Sequence, residues 1–162
     1  MAESIAALMG SIVLVALTAL SGGIFRPDDW YRRLEKPRWT PPDKVFPIAW
    51  AVLYLLMAVA AWRVFEAESS VWRTVGLLLY VLHLFLNAGW SWLFFGRRRI
   101  EAALLDILAL CVLLTVVIVL FALSSPLAAV LLLPYWAWIA FAVALNARIR
   151  RLNPQGTGSS SS

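Results

Sequence analysis

The sequence contains few charged residues. Only 14% of its 162 residues are Asp, Glu, Lys or Arg, whereas 62% are hydrophobic. A soluble domain carries about 25% charged residues. There is too little polar surface here to cover a water-facing globule, so the composition excludes an ordinary soluble protein. Lipid is the solvent that fits this composition, and the length predicts a single domain.

Metal-binding and acid–base residues are also scarce. The chain has one cysteine, Cys111, and one histidine, His83. A single cysteine excludes a disulfide within the chain, and neither residue has the spacing of a metal site, so no metal and no required cofactor are expected. The absence of paired carboxylates in the apolar runs argues against a proton-coupled pump. The net charge of +5 comes from basic residues that flank apolar runs, which suits membrane topology better than nucleic-acid binding.

Five apolar runs are long enough to cross a bilayer as helices, which takes about 20 residues each. The predicted helices cover about residues 5–24, 41–64, 71–95, 102–123 and 126–147. Thr40 and Pro41 predict a capped start for the second helix, and Pro134 predicts a kink in the fifth. We therefore expect an all-α membrane protein, a five-helix transmembrane bundle over residues 1–150 with a disordered tail over residues 151–162.

The connection between the first two helices differs from the others. Residues 25–43 are charged, proline-rich and aromatic, and loops of this length are usually functional or disordered. Trp30, Tyr31 and Trp39 argue against disorder. We therefore expect a structured loop, with one or two helical turns after Asp28.

The basic residues are distributed unevenly between the two ends of the predicted bundle. Twelve of the fourteen Lys and Arg side chains fall on the side of residues 25–43 and the C-terminus, and only Arg63 and Arg73 fall on the other. Positive residues favour the cytoplasmic side. We therefore expect the loop and the C-terminus in the cytoplasm, the N-terminus outside, and Asp106 near the cytoplasmic surface, paired with the arginines of residues 97–99.

Polar and aromatic side chains recur at helical spacing inside the predicted spans. Polar groups at membrane depth are costly and face inward, and residues four apart share one helix face. The inward-facing set comprises Trp50 and Tyr54 in the second helix, His83, Asn87 and Trp90 in the third, and Trp138, Ala142 and Asn146 in the fifth. Facing one another, they would form a small-molecule site with flat aromatic walls and a few hydrogen-bonding groups.

Two alternatives remain open for such residues. His83 and Asn87 would serve equally well as polar ties between helices. Tryptophan also anchors membrane proteins at the bilayer surface, a role that fits Trp62, Trp72 and Trp92. The loop residue Trp39 is instead grouped with the predicted site.

Three separated motifs occur in order along the chain. Residues 30–54 read W-Y-x-x-L-x-K-P-x-W-x-P-P-x-x-V-F-P-x-A-W-x-x-L-Y. The later motifs are Asn87-x-x-Trp90 followed by Phe94-Phe95-Gly96, and Pro134-Tyr135-x-x-Trp138 followed by Leu145-Asn146. Over residues 5–150 the chain therefore resembles the translocator protein family, also called tryptophan-rich sensory proteins or peripheral-type benzodiazepine receptors.

The resemblance implies a five-helix bundle, commonly a homodimer, that binds porphyrins and hydrophobic drug-like molecules under a lid formed by the first loop. Carried over by position, the ligand contacts would be Tyr31, Trp50, Asn87, Trp138 and Ala142. Family members usually have glutamine at the position of His83, and animal members have tyrosine at the position of Ala147. The alanine at position 147 argues against cholesterol binding of the animal type. We expect a bacterial member of the family, located in the cell membrane.

Three functions compete. The leading hypothesis is a membrane receptor or sensor for protoporphyrin IX and haem-like tetrapyrroles, with the porphyrin as a ligand rather than a cofactor. The second is a light-dependent porphyrin-degrading enzyme with Trp30 and Trp138 as reactive indoles. The third is transport of porphyrin or lipid, against which the lack of detectable repeat halves in the sequence argues.

Overall fold

The structure, a computed structural model, describes residues 2–25 and 27–154. Its helices are α1 (Ala2–Ile24), α2 (Asp29–Arg33), α3 (Val45–Phe65), α4 (Val71–Ser91), α5 (Ile100–Ser124) and α6 (Pro126–Leu152), and a π-helical turn at Trp92–Gly96 continues α4. These two ranges contain no β-strand. All the helices except α2 are long and apolar enough to cross a membrane, which confirms the predicted five-helix bundle.

The five long helices form a closed ring. Their main contacts run in the order α1, α3, α6, α5, α4 and back to α1, with a smaller contact between α3 and α4 across the ring. At one end the ring is filled by side chains that are almost completely buried, among them Met57, Tyr80, Phe121 and Leu132. The other end, beneath the first loop, is hollow.

Small residues let the helices of the filled end approach closely. On α3, Ala58, Ala60 and Ala61 are buried in the core. On α4, a Cβ atom added to Gly76 would lie 3.3 Å from the ring of Phe121 on α5. This close packing closes off one end of the ring and leaves the space for a site at the other.

Helix α3 begins at Val45 rather than at Pro41. Thr40 does not cap it, because the Thr40 Oγ1 donates to the carbonyl of Pro37 at 2.8 Å. Pro42 explains the difference. A proline disfavours the helical conformation in the residue before it, so Pro41 is unsuited to be the first helical residue.

Helix α6 continues past the predicted end at about residue 147 and ends at Leu152, with Pro134 inside it. Residues 151 and 152, which we assigned to the tail, are therefore helical. Residues 153 and 154 follow the helix, and the remainder of the predicted tail, residues 155–162, lies outside the described residues.

The first loop, the α4–α5 turn and the end of α6 meet at the hollow end of the bundle. Arg98 donates to Asp28 at 2.8 Å, and Arg150 pairs with Glu101 at 2.7 Å. Arg98 has a φ of 56°, a left-handed conformation that is costly for a residue with a side chain and that directs it towards the loop. These contacts gather the strongly basic segments at one end of the bundle.

Asp106 does not pair with the arginines of residues 97–99. The ion pairs within residues 2–25 and 27–154 are Asp29–Arg32, Asp28–Arg98 and Glu101–Arg150. Helix α5 turns Asp106 towards Gly89 of α4. A Cβ atom added to Gly89 would lie 3.5 Å from the Asp106 Oδ1. The predicted ion pair is therefore wrong, because the twist of α5 directs Asp106 at a neighbouring helix instead of at the headgroup region.

Candidate functional site

The hollow end of the ring contains a cavity of about 720 Å³. Small-molecule sites typically measure about 300–1,000 Å³. The aromatic part of its lining consists of Phe25, Tyr31, Phe46, Trp50, Tyr54, Trp90, Phe94, Phe95 and Trp138. All five long helices and the first loop contribute to the wall, so the cavity exists only in the assembled bundle.

The aromatic rings form two separate walls. On α3, Trp50 stacks on Tyr54 with ring centroids 5.2 Å apart, and its ring meets the Trp138 indole at a steep angle at 6.4 Å. On α4, Trp90 stacks on Phe94 at 5.3 Å. Faces of this kind favour flat apolar molecules, which can stack against them.

A chain of hydrogen bonds forms the floor of the cavity. The Tyr54 hydroxyl donates to the Asn87 Oδ1 at 3.1 Å, and the Asn87 Nδ2 donates to the Tyr135 hydroxyl at 2.6 Å. The Tyr135 hydroxyl lies 3.2 Å from the Nε2 of His83. Tyr54 and Asn87 line the cavity, whereas Tyr135 and His83 are fully buried below it.

Two residues of the cavity lining each carry a polar atom without a partner. Within the described ranges, the Trp90 Nε1 and the Asn146 Oδ1 are buried without a hydrogen-bond partner. The Asn146 Nδ2 donates to the carbonyl of Ile100 at 3.2 Å, which fixes the amide. Buried polar atoms normally have partners, and this donor and this acceptor would reach a ligand only after the side chains that cover them had moved.

The first loop covers the open end of the cavity. Tyr31 on α2 is only 5% exposed, and its ring meets the edges of Phe94 and Phe95 at 6.1 and 5.4 Å. The Lys36 ammonium lies 4.4 Å from the centre of the same ring. Burial raises the pKa of Tyr31, and the charge of Asp43 adds to this shift, so the Tyr31 hydroxyl stays neutral at the cavity mouth.

Asp28 anchors the start of the loop. Its carboxylate accepts from the backbone N–H of Tyr31 at 3.1 Å, which caps α2, and from Arg98 at 2.8 Å. The backbone hydrogen bond, supported by Arg98, lowers the pKa of Asp28 below its ordinary value. The carboxylate therefore holds the loop to the α4–α5 turn at neutral pH.

Most of the predicted site residues line this cavity. They are Tyr31, Trp50, Tyr54, Asn87, Trp90, Trp138, Ala142 and Asn146. Trp39 does not, because it is 49% exposed and packs on the outer side of Phe141 at 5.6 Å. His83 does not either, because Tyr135 lies between it and the cavity.

The remaining tryptophans lie outside the cavity. Trp30 packs edge-on against Phe94 at 5.9 Å and does not line the cavity. Trp72 and Trp92 are 51% and 45% exposed on the outer surface, where anchors are expected. Trp62 instead donates its indole N–H to the hydroxyl of Ser4 at 3.3 Å, so it ties α3 to α1.

Sequence reasoning missed Tyr135, which links Asn87 to His83. Tyr135 lies three residues before Trp138 on α6, and residues three apart share a helix face. Helical spacing would therefore have found it. Gly22 and Gly23 of α1 also line the cavity, but they carry no polar or aromatic signal.

A second, shallower hollow lies on the outer surface between α3 and α6. This groove of about 460 Å³ is apolar, with Ile48, Val52, Pro134 and Phe141 among its lining residues. Trp138 lines both the groove and the internal cavity. The indole of Trp138 thus forms part of the wall between the cavity and the lipid-facing surface.

Five apolar spanning helices around an aromatic cavity define an integral membrane protein with an internal site of small-molecule size. Residues 11–152 match the TspO/MBR family, and the chain belongs to this family. Its relatives include the tryptophan-rich protein TspO of Chlorobaculum tepidum, 37% identical over 150 residues, which cover 88% of this chain and 93% of the relative.

Two more relatives show the breadth of the family. The tryptophan-rich sensory protein of Cereibacter sphaeroides is 38% identical over 135 residues, which cover 83% of this chain and 84% of the relative. The human translocator protein is 39% identical over 129 residues, which cover 76% of this chain and 75% of the relative. The region that matches the family, residues 11–152, contains most of α1, the other four spans, the first loop and the whole cavity lining.

Proposed function

We propose that this protein is a membrane receptor or sensor that binds porphyrins and other flat hydrophobic molecules in the cavity beneath the first loop. The cavity of about 720 Å³ with paired aromatic walls carries the proposal. Its few polar atoms are placed on the floor and the side, so an apolar ring system would contact mainly aromatic faces.

The charge at the hollow end supports a tetrapyrrole in particular. A porphyrin such as protoporphyrin IX combines a flat apolar ring with two carboxylates. The first loop carries Arg32, Arg33, Lys36 and Arg38, which would attract those carboxylates to the mouth of the cavity. A movement of the side chains that cover them would let the Asn146 Oδ1 and the Trp90 N–H contact polar atoms of the ring or its substituents.

Titration of protoporphyrin IX into the purified protein in lipid nanodiscs tests the proposal, with the porphyrin absorption band as the readout. Replacing both Trp50 and Trp138 by phenylalanine removes part of one aromatic wall. We expect the affinity to fall by about fivefold or more, since each aromatic contact contributes about 0.5–1.5 kcal/mol. Trp72→Phe is the matched control on the outer surface. Equal affinity in all three proteins would contradict the proposed site.

Light-dependent porphyrin degradation is the second candidate, and the position of Trp138 in the cavity wall favours it. Trp30 would act only from behind Phe94. Illumination with oxygen should bleach bound porphyrin faster than free porphyrin, and Trp138→Phe should remove this difference while Trp30→Phe retains it. Equal bleaching with and without the protein would exclude the enzyme.

Transport, dimerisation and orientation are further parts of the proposal that need their own measurements. Porphyrin uptake into sealed proteoliposomes, compared with empty liposomes, separates transport from binding. Cross-linking in nanodiscs tests the homodimer that the resemblance implies. If the C-terminus is cytoplasmic, the loop between α3 and α4 faces the outside of a bacterial cell. A cysteine introduced in this loop at Ser69 should then be labelled only by a reagent applied from outside the cell.

A further inference from the structure

Three polar side chains connect the cavity to the only histidine of the chain. The links are Tyr54 to Asn87 at 3.1 Å, Asn87 to Tyr135 at 2.6 Å and Tyr135 to His83 at 3.2 Å. Asn87, Tyr135 and His83 are between 0 and 4% exposed. Water therefore has little access to the chain, and each of these groups depends on its neighbours for hydrogen bonds.

The directions of these hydrogen bonds are coupled. A hydroxyl has one hydrogen to donate, and an amide has one donating and one accepting end. Because the Asn87 Nδ2 donates to the Tyr135 oxygen, the Tyr135 hydrogen is directed at the His83 Nε2. A neutral His83 then carries its hydrogen on Nδ1. At the other end, Tyr54 donates into Asn87 and offers the cavity only the lone pairs of its oxygen.

The same atoms also support the opposite direction. With the hydrogen of His83 on Nε2, the imidazole donates to Tyr135, and Tyr135 donates to the Oδ1 of an Asn87 amide that has turned over. The Asn87 Nδ2 then donates to Tyr54, whose O–H is released towards the cavity. The net charge stays the same. The Asn87 amide rotates within its own space, since the two ends of an amide have nearly the same shape. Local opening of the bundle admits water, which takes the proton from the His83 Nδ1 and returns one to the Nε2.

In the part of the chain that the structure describes, no hydrogen bond other than the one with Tyr135 holds His83 in one tautomer. Its Nδ1 is buried without a partner among residues 2–25 and 27–154. Its remaining neighbours are rings, with Tyr80 stacked at 6.4 Å and Tyr135 edge-on at 5.4 Å. The position of the hydrogen on the imidazole therefore follows the direction of the chain.

We propose that His83 is a positioning residue that, through Tyr135 and Asn87, lets Tyr54 adapt its hydrogen bonding to the ligand. Its tautomer sets whether Tyr54 presents a hydrogen-bond acceptor or a donor to the cavity. One site thereby accepts flat ligands with an N–H group and flat ligands with a carbonyl group. The inference rests on the proposed binding function, because it names the polar chemistry that the same cavity recognises.

Nitrogen NMR on protein labelled with ¹⁵N-histidine tests this directly, because the chain has one histidine and gives one imidazole signal set. In the ligand-free protein we expect the hydrogen on Nδ1. In Tyr135→Phe, which removes the link, we expect it on Nε2, the tautomer that a free neutral histidine side chain favours. An identical tautomer in these two proteins would overturn the coupling without reference to any ligand.

Two tricyclic probes of nearly equal shape provide the ligand arm. Carbazole carries an N–H donor and fluorenone a carbonyl acceptor. We expect carbazole to retain the hydrogen on Nδ1 and fluorenone to move it to Nε2, so that the shifts of the two ring nitrogens exchange. In Tyr54→Phe both probes should still bind through the aromatic walls, but neither should change the tautomer. A merely structural role of His83 would not produce this ligand-dependent signature.

The outcomes separate this inference from the function on which it rests. Binding of both probes with one unchanging tautomer would overturn the role of His83 and leave the binding site intact. A tautomer change that persists in Tyr54→Phe would overturn the pathway through Asn87. Failure of both probes to change the tryptophan fluorescence would overturn the proposed binding of flat molecules itself, and with it the selection by His83.

Discussion

Asn153 joins the end of α6 to the first loop through both ends of its side-chain amide. Its Nδ2 donates to the carbonyl of Glu35 at 2.9 Å, and its Oδ1 accepts from the Glu35 N–H at 3.0 Å. The same Nδ2 also lies 2.8 Å from the carbonyl of Ile149, which orients the amide. The loop is thus held by its backbone as well as by the Asp28–Arg98 ion pair.

Replacing Asn153 by alanine should loosen the loop. Each lost hydrogen bond contributes about 0.5–1.5 kcal/mol, so we expect backbone hydrogen exchange in residues 29–36 to accelerate by about tenfold and bound porphyrin to dissociate faster. Arg151→Ala, an exposed change on the same turn of α6, is the control. Unchanged exchange in Asn153→Ala would show that the ion pair alone holds the loop.

Enlarging Ala142 should fill the cavity from α6. Ala142 lines the cavity, and a leucine there would occupy space that a ligand needs. We expect porphyrin affinity to fall by about tenfold or more, with little change in the thermal midpoint. Ala144→Leu, an exposed position on the same helix, should leave both measurements unchanged. A similar loss of affinity in both variants would argue against the cavity as the site.

Gly96 is required where the π-helical turn meets Phe25. A Cβ atom added to Gly96 would lie 2.8 Å from the Phe25 ring, so Gly96→Ala should destabilise the protein by about 1–3 kcal/mol. The combination with Phe25→Leu should recover much of this loss, measured by thermal unfolding in detergent. Gly10→Ala has open space around it and serves as the control. Additive effects in the double variant would disprove the clash.

Asp28 should titrate below its ordinary pKa of 3.8. Its folded-state pKa is lowered, so its contribution to stability is fully present above 3.8 and is lost as the pH falls through the lower folded value. The loop anchor should therefore be independent of pH near neutrality. The amide shift of Tyr31, whose N–H bonds to Asp28, follows this titration, and Asp28→Asn should abolish the step. A midpoint at or above 3.8 would contradict it.

The sequence predicts the five spans well because their signal is local. A run of about 20 apolar residues is sufficient to identify a span, and no partner helix is needed. The start of α3 was misjudged because Pro42 constrains Pro41 more strongly than Thr40 favours a cap. Asp106 was misjudged because proximity along the chain to arginines does not determine which neighbouring helix a side chain meets.

The sequence predicts which face of each helix carries the residues of the site, but not how deep in the bundle each residue lies. Helical spacing places His83 and Asn87 on one face of α4, yet only Asn87 reaches the cavity, because Tyr135 from another helix covers His83. Trp39 was grouped with the site for its position in the loop, whereas its ring lies outside Phe141. Such differences depend on how neighbouring helices pack against each other. The spacing of residues along a single helix carries no information about that packing.

The indole of Trp138 separates the cavity from the groove between α3 and α6, and this has a consequence for how occupancy is measured. Within residues 2–25 and 27–154 it is held by ring contacts, to Phe46, Trp50 and Phe141. A ligand that exchanges past it would dissolve in the bilayer first, so its mole fraction in lipid would govern how fast the cavity is occupied. At a fixed free concentration in water, ligands of similar shape that partition more strongly into lipid should therefore occupy the cavity faster.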